Sequence, residues 1–261
     1  MNKAMFSFPR FSSRAIAVWR RNFLVWKKLA IPSMLGNLAD PMIYMFGLGY
    51  GLGAMLPAVN GLPYIAFLAG GTLCASTMNA ATSEALYSAF SRMHVQNTWE
   101  ALLYAPLDLD DVVAGEWLWA ASKSMLSGTA ILCVIALLGF VHSPLALWVL
   151  PVIFLTGLAF AGLGLIINAL APSYDFFMYY FTLAITPMIF LSGVFFPLDQ
   201  LPEVARWVAC VLPLSHAVAL VRPLLNGEIP AQALTHVLVL AAIAFTAFWI
   251  ALGLTRRRLM K

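Results

Sequence analysis

Apolar residues in this chain run in blocks too long for the core of a small water-soluble domain. A helix rises about 1.5 Å per residue, so about 20 mostly apolar residues cross the hydrocarbon of a bilayer. Six such blocks occur, at 36–56, 62–83, 117–141, 145–170, 176–198 and 233–255. The pattern predicts an all-α membrane protein with six transmembrane helices. Between the fifth and sixth blocks, 199–232 is semi-polar and punctuated by Pro202, Pro213, Pro223 and Pro230. Proline removes a backbone donor and breaks helices, so this stretch reads as a re-entrant or interfacial helical cap built around 207–214. The chain divides into a segment 1–35 and a six-span domain 36–261.

The first segment has a pattern of its own. At 3.6 residues per turn, Ile16, Trp19, Phe23, Trp26 and Ala30 share one face, and Arg14, Arg20, Arg21, Lys27 and Lys28 lie on the other. This predicts an amphipathic helix in the membrane interface, with aromatics among acyl chains and cations at the phosphates. Two roles fit: a plain positive-inside anchor, or an anchor that also receives an anionic, lipid-linked substrate from the cytoplasmic leaflet.

Composition agrees with a bilayer environment. Only 10% of the 261 residues are charged and 62% are hydrophobic, with mean hydropathy +0.88. A soluble domain carries roughly 25% charged residues. The net charge of +4 does not point to nucleic acid, because its placement follows membrane topology. With both termini inside, twelve of the fifteen Lys and Arg residues are cytoplasmic, including Lys3, Arg92, the run Arg256 to Arg258 and Lys261. Only Arg206 and Arg222 fall outside, and Lys123 lies in the first turns of the third span. That bias sets the expected orientation. No cleavable leader is expected, and the first span doubles as insertion signal. Cys74, Cys133 and Cys210 lack metal or disulfide spacing.

Local motifs refine this scheme. Asp40-Pro41 reads as the start of the first span, Asp as cap and Pro at the first helical position. Gly47, Gly49, Gly51 and Gly53, and again Gly157, Gly162 and Gly164, allow close helix approach. The long cytoplasmic loop 84–116 is acidic through Glu84, Glu100, Asp108, Asp110, Asp111 and Glu116. It contains an apolar seam, Trp99, Leu102 and Leu103, followed by Pro106 and a second helix start capped by Asp108. Such an exposed ridge suits docking into a groove of a soluble partner. A connector packed on its own helices is the alternative.

Three phrases carry a resemblance: ADPMIYMFGLGYGLG at the first span, TWEALLYAPLDLDDVVAGEWLWAASKS at the loop and third span, and FLSGVFFPLDQLPEVARWVACVLPLSHAVALVR after the fifth. They resemble the permeases of type-2 ABC transporters, and among them those that export lipo-oligosaccharide nodulation factors. The resemblance implies a coupling helix that inserts into the ATPase, here Arg92, Thr98, Trp99, Glu100, Leu102, Leu103 and Pro106. A lesser contact would come from 171–175. It also implies an outward gate containing Phe195, Phe196, Pro197, Pro213 and His216. His216 stands far from any carboxylate in sequence and reads as structural, with no proton relay assigned.

No GxxxxGK[ST] occurs, and the dipeptide Gly-Lys is absent from the sequence. Holding nucleotide phosphates needs that loop, so ATP and Mg are expected on a separate ABC ATPase, two copies to a permease homodimer. No cofactor is expected on this chain. The expected function is export of an amphiphile across a bacterial inner membrane, in contact with lipids and without nucleic acid. The eight Trp and eight Tyr suit sugar stacking, though aromatics also anchor at interfaces. A drug or antibiotic exporter on the same scaffold is the main alternative. An intramembrane enzyme acting on lipid or peptide is the other, and it lacks HExxH and GxSG motifs.

Overall fold

The computed structural model describes residues 7–10, 12–56, 58–59 and 61–259. Lys3 and Lys261 lie outside the described residues. Among those described there is no strand, only an isolated bridge between Val59 and Leu62. The helices are α1 (Ala15–Lys27), α2 (Ala30–Gly51), α3 (Tyr64–Ser83), α4 (Thr98–Leu103), α5 (Leu109–Leu137) and α6 (Val149–Leu170). They continue as α7 (Asp175–Tyr180), α8 (Thr186–Leu191), α9 (Glu203–Ala209), α10 (Pro213–Asn226) and α11 (Ala233–Leu259).

Each of the six apolar blocks lies largely in helix, but their boundaries differ from the expected ones. By length and apolar composition alone, α5, α6 with its 3-10 lead-in Pro144–Trp148, and α11 are sufficient to cross a bilayer. Helices α9 and α10 together would make a fourth, but they are bent by 84°. The bend falls at extended Leu212 and at Pro213, the first residue of α10, where a missing N–H costs nothing. The stretch Asp175–Leu191 is apolar but shorter, and a π turn, Phe181–Ile185, joins its halves.

Three sequence expectations are corrected. Asp40-Pro41 does not open a helix: α2 begins at Ala30, and Pro41 lies inside it. The loop 84–116 is mostly helical, because α3 is extended by π turns Glu84–Ser88 and Ser91–Val95, and α5 starts at Leu109. The connection shrinks to 96–108, turning at Asn97 with φ +50°, a left-handed conformation that Asn tolerates. Asp108 does cap α5, and its backbone N–H donates to Asp111 at 3.1 Å, completing a capping box.

Helix α6 is the hub. Its Gly157 abuts Ala121 and Ser124 of α5, Gly162 abuts Ala247 and Phe248 of α11, and Gly164 abuts Ala85. A Cβ on Gly162 would stand 3.0 Å from the Ala247 Cβ. Small residues thus let three helices approach one axis closely, as in membrane helix packing.

The third correction concerns α1. Its aromatics do not simply face acyl chains, because Trp19, Phe23 and Trp26 gather around Trp119 of α5, with centroids at 6.5, 6.3 and 5.8 Å. Val18 is fully buried over Gly115, where any Cβ would clash. Trp19 Nε1 donates to Ser122 at 2.9 Å. The exposed side of α1 carries Ile16, Leu24 and Val25 together with Arg20 and Lys27, and Lys28 follows at its end.

Candidate functional site

The strongest polar feature is an ion network rooted where α3 and α5 meet the 96–108 elbow. Arg92, on the second π turn, bonds Glu116 of α5 through Nε at 2.9 and 3.1 Å and through Nη2 at 2.5 Å. The same Nη2 reaches Glu84 at 2.8 Å. Glu84 also accepts from Lys123 at 2.6 Å and from the Trp119 indole at 2.8 Å. Both carboxylates are nearly inaccessible, at 1% and 3%, and Arg92 is only 11% exposed. A buried charge persists only when paired and hydrogen-bonded, and here every carboxylate oxygen has a donor.

The electrostatics follow from that pairing. Burial opposes the charge on Glu84, but Arg92 and Lys123 outweigh it and hold the carboxyl at about 2. Burial also opposes the charge on Arg92, and Glu116 and Glu84 reverse the balance, so its guanidinium binds its proton more firmly than usual. Arg21 of α1 shifts downward, through burial first and then repulsion from Arg92, against the pull of Glu116.

This network holds α4. Trp99 is 2% exposed and donates its indole N–H to Glu116 at 3.1 Å. Trp99 and Arg92 therefore do not belong to an exposed ridge, which corrects their expected place in the contact surface. A Trp at the first turn of so short a helix buries its large area inward, while the opposite side of the helix points out. That outer side presents Glu100, Leu103 at 39% exposure and Tyr104 at 83%, with Ala105 and Pro106 beyond. Thr98 and Leu102 are half-buried, Leu102 against the core and Thr98 accepting from Arg21 at 3.4 Å. Arg14 fastens the elbow through the Pro106 carbonyl at 3.0 Å.

A second ion pair ties the chain ends to the same region. Arg256 of α11 bonds Asp110 through Nε at 3.1 Å and Nη2 at 2.5 Å, and Asp110 also accepts the Arg10 backbone N–H at 3.0 Å. Along the chain Glu84, Asp110, Asp111 and Glu116 count only as acids of a cytoplasmic loop, whereas the structure buries all four. The available signal was their position, since ionisable groups at the edge of apolar helices are expensive unless paired.

At the other end, the expected gate residues separate into two groups. A cleft of about 300 Å³ lies between α2, α3 and α8, with Asn37, Asp40, Ser76 and Asn79 on its walls. A second, apolar cavity of about 440 Å³ takes in Phe196 and Pro197. Tyr44, Phe190 and Phe195 border both. Phe195 sits 5.9 Å from Tyr44 and 5.5 Å from Phe190, and its carbonyl accepts from Tyr64 at 3.0 Å. Tyr44, Tyr64 and Phe190 were missed because nothing along the chain links α2 to α8.

Pro213 and His216 line neither cavity. Pro213 starts α10, and the His216 ring bonds the Cys210 carbonyl at 3.0 Å and His236 of α11 at 2.7 Å. These two residues fix the corner between α9, α10 and α11. They therefore stand apart from Phe195, Phe196 and Pro197, which line the two cavities.

Comparison with known proteins bears on this arrangement. Residues 14–226 match the family described as ABC-2 type transporter. The chain is 53% identical over 246 residues to Nodulation protein J of Rhizobium leguminosarum bv. viciae, covering 94% of this chain and 95% of that one. It is 51% identical over 245 residues to Nodulation protein J of Rhizobium meliloti (strain 1021), with 94% of each covered. The Inner membrane transport permease YadH of Escherichia coli (strain K12) is 23% identical over 233 residues, covering 88% and 90%. A membrane chain matched over most of its length, with a helical core and a protruding elbow, belongs to the ABC-2 type transporter family.

Proposed function

We propose that the chain is the membrane-spanning permease of an ATP-driven exporter in a bacterial inner membrane. It works as a homodimer with two copies of a separate ATPase that binds ATP and Mg. The six apolar blocks cross the membrane, α9 and α10 form an outward re-entrant cap, and both termini are cytoplasmic. The basic termini support that orientation.

The observation that carries the reading is the built elbow. A helix of six residues, α4, does not hold its shape alone in water. Here Trp99 ties its inner side to Glu116, which Arg92 holds in turn, and Leu103 and Tyr104 protrude from the outer side. A rigid root with an aromatic tip can pass a push from a soluble partner to α3 and α5, whereas a floppy loop would absorb it. ATP binding would draw the ATPases together and shift the permease between states of different cargo affinity.

The polar cleft supports the rest. Asp40 lies in the middle of α2 and is exposed. Polar groups facing lipid are costly, so a second copy covering this side would enclose a path walled by Asn37, Asp40, Ser76 and Asn79. The cargo, on the sequence resemblance, is a lipo-oligosaccharide-like amphiphile entering from the cytoplasmic leaflet.

Co-purification tests the reading. The ATPase is expected to accompany the wild-type chain and to be lost or weakened with Glu100→Arg and with Tyr104→Ala. Equal recovery of the ATPase with all three chains would refute the coupling assignment. Stimulation of ATP hydrolysis across glycolipids and drugs then identifies the cargo class.

A further inference from the structure

A small cleft of about 160 Å³ lies between α1 and the ion network, apart from the cavities beside Phe195. Arg21 and Asn22 form one wall, and Arg92, Gln96, Lys123 and Glu84 form the other. Three cations meet two carboxylates here, Glu84 and Glu116, which leaves one positive charge in excess. Among the described residues, Arg21 has no carboxylate partner. Its guanidinium donates to the Asn22 carbonyl oxygen at 2.9 Å and to Thr98 at 3.4 Å.

The second observation is independent. Asn22 is 3% exposed, and its amide nitrogen has no hydrogen-bond partner. A buried donor left unmade is unfavourable, and native structures rarely keep one without a ligand or water. An orphan amide beside a guanidinium without an ion pair calls for an anion rich in acceptor oxygens. Around the rest of α1, Ile16, Leu24 and Val25 are exposed, as suits a helix lying at a lipid surface.

We propose that this cleft binds one phosphate group, presented by an anionic lipid headgroup or as free phosphate. The Arg21 guanidinium and the Asn22 amide donate to its oxygens, and Lys123 and Gln96 close the other side. Arginine suits this role because its planar fork matches phosphate geometry. A phosphate here would bridge α1 to the network that fixes Trp99, so occupancy would stiffen the elbow.

The test uses the purified full chain in a neutral detergent, without ATPase or nucleotide, so its outcome is separate from that of the export reading. Inorganic phosphate, dioctanoyl phosphatidylglycerol and phosphate-free dioctanoylglycerol are titrated in turn, with binding read by native mass spectrometry and thermal unfolding. Saturable binding is expected for at least one phosphate-bearing ligand and not for dioctanoylglycerol. Binding of phosphate alone assigns a soluble source, and binding of the lipid alone assigns the headgroup. Arg21→Gln should weaken binding about tenfold, the effect of one lost charge-assisted hydrogen bond. Asn22→Asp supplies an internal partner for Arg21, so it should abolish binding while unfolding no earlier than wild type. If neither ligand binds, or if both variants bind as wild type does, the site is refuted.

Discussion

Trp99 donates its indole N–H to Glu116 across 3.1 Å, joining the first turn of α4 to the second turn of α5. The same carboxylate takes three bonds from the Arg92 Nε and Nη2 atoms. One buried acid therefore sets both the position of the elbow and the end of the α3 extension.

The inner and outer sides of α4 should respond differently to substitution. Trp99→Ala removes a buried aromatic, and the expected loss is about 3–5 kcal/mol of stability. Tyr104→Ala removes an 83% exposed ring and should leave thermal unfolding unchanged while lowering ATPase-stimulated turnover. Unfolding scans beside ATP hydrolysis by the assembled complex separate the two.

The ion network should behave as one unit. Arg92→Met leaves two buried carboxylates short of a donor and should cost about 3–5 kcal/mol. Adding Glu116→Gln should recover part of that loss, because one stranded charge disappears. A double-mutant cycle on thermal or denaturant unfolding measures the coupling, expected at about 0.5–3 kcal/mol.

Phe195 should govern passage between the two cavities. Phe195→Ala or Tyr44→Ala removes a ring bordering both, so an Asn79→Cys reporter in the polar cleft should react faster with a membrane-impermeant thiol reagent. The background requires replacing exposed Cys133 and Cys210. An unchanged labelling rate in both variants would remove Phe195 from the gate.

Arg256 and Asp110 link the end of α11 to the start of α5. Asp110→Asn keeps the shape but removes the charge, and should raise proteolytic release of the C-terminal end without altering the Tyr104 surface. Limited proteolysis followed by mass determination reads this directly.

Periodicity was enough to find the helices, because long apolar blocks leave the backbone no alternative inside a bilayer. It misplaced their ends. Asp40-Pro41 has the chemistry of a helix start, yet α2 runs through it from Ala30, so local preference yields where the flanking residues are strongly apolar. The acidic residues of 84–116 read only as an acidic loop along the chain, and packing reveals that Glu84 and Glu116 share Arg92. Trp99 is expected on an exposed ridge, and the structure turns it inward against Glu116. Sequence spacing places a residue on a helix and does not say which neighbour that helix will meet. The junction of Tyr44, Phe190 and Phe195 was illegible for the same reason, since it depends on contact between helices far apart in sequence.

Helix α5 is 29 residues long and so spans about 43 Å, with Tyr104 just before its start and the 87% exposed Leu137 at its end. A benzophenone amino acid placed at position 104, or separately at 137, tests the central claim most directly in cells that contain the ATPase. Crosslinking to the ATPase is expected from 104 and not from 137. A crosslink from 137, or none from 104, would contradict the assignment of the elbow as the surface that receives the ATPase.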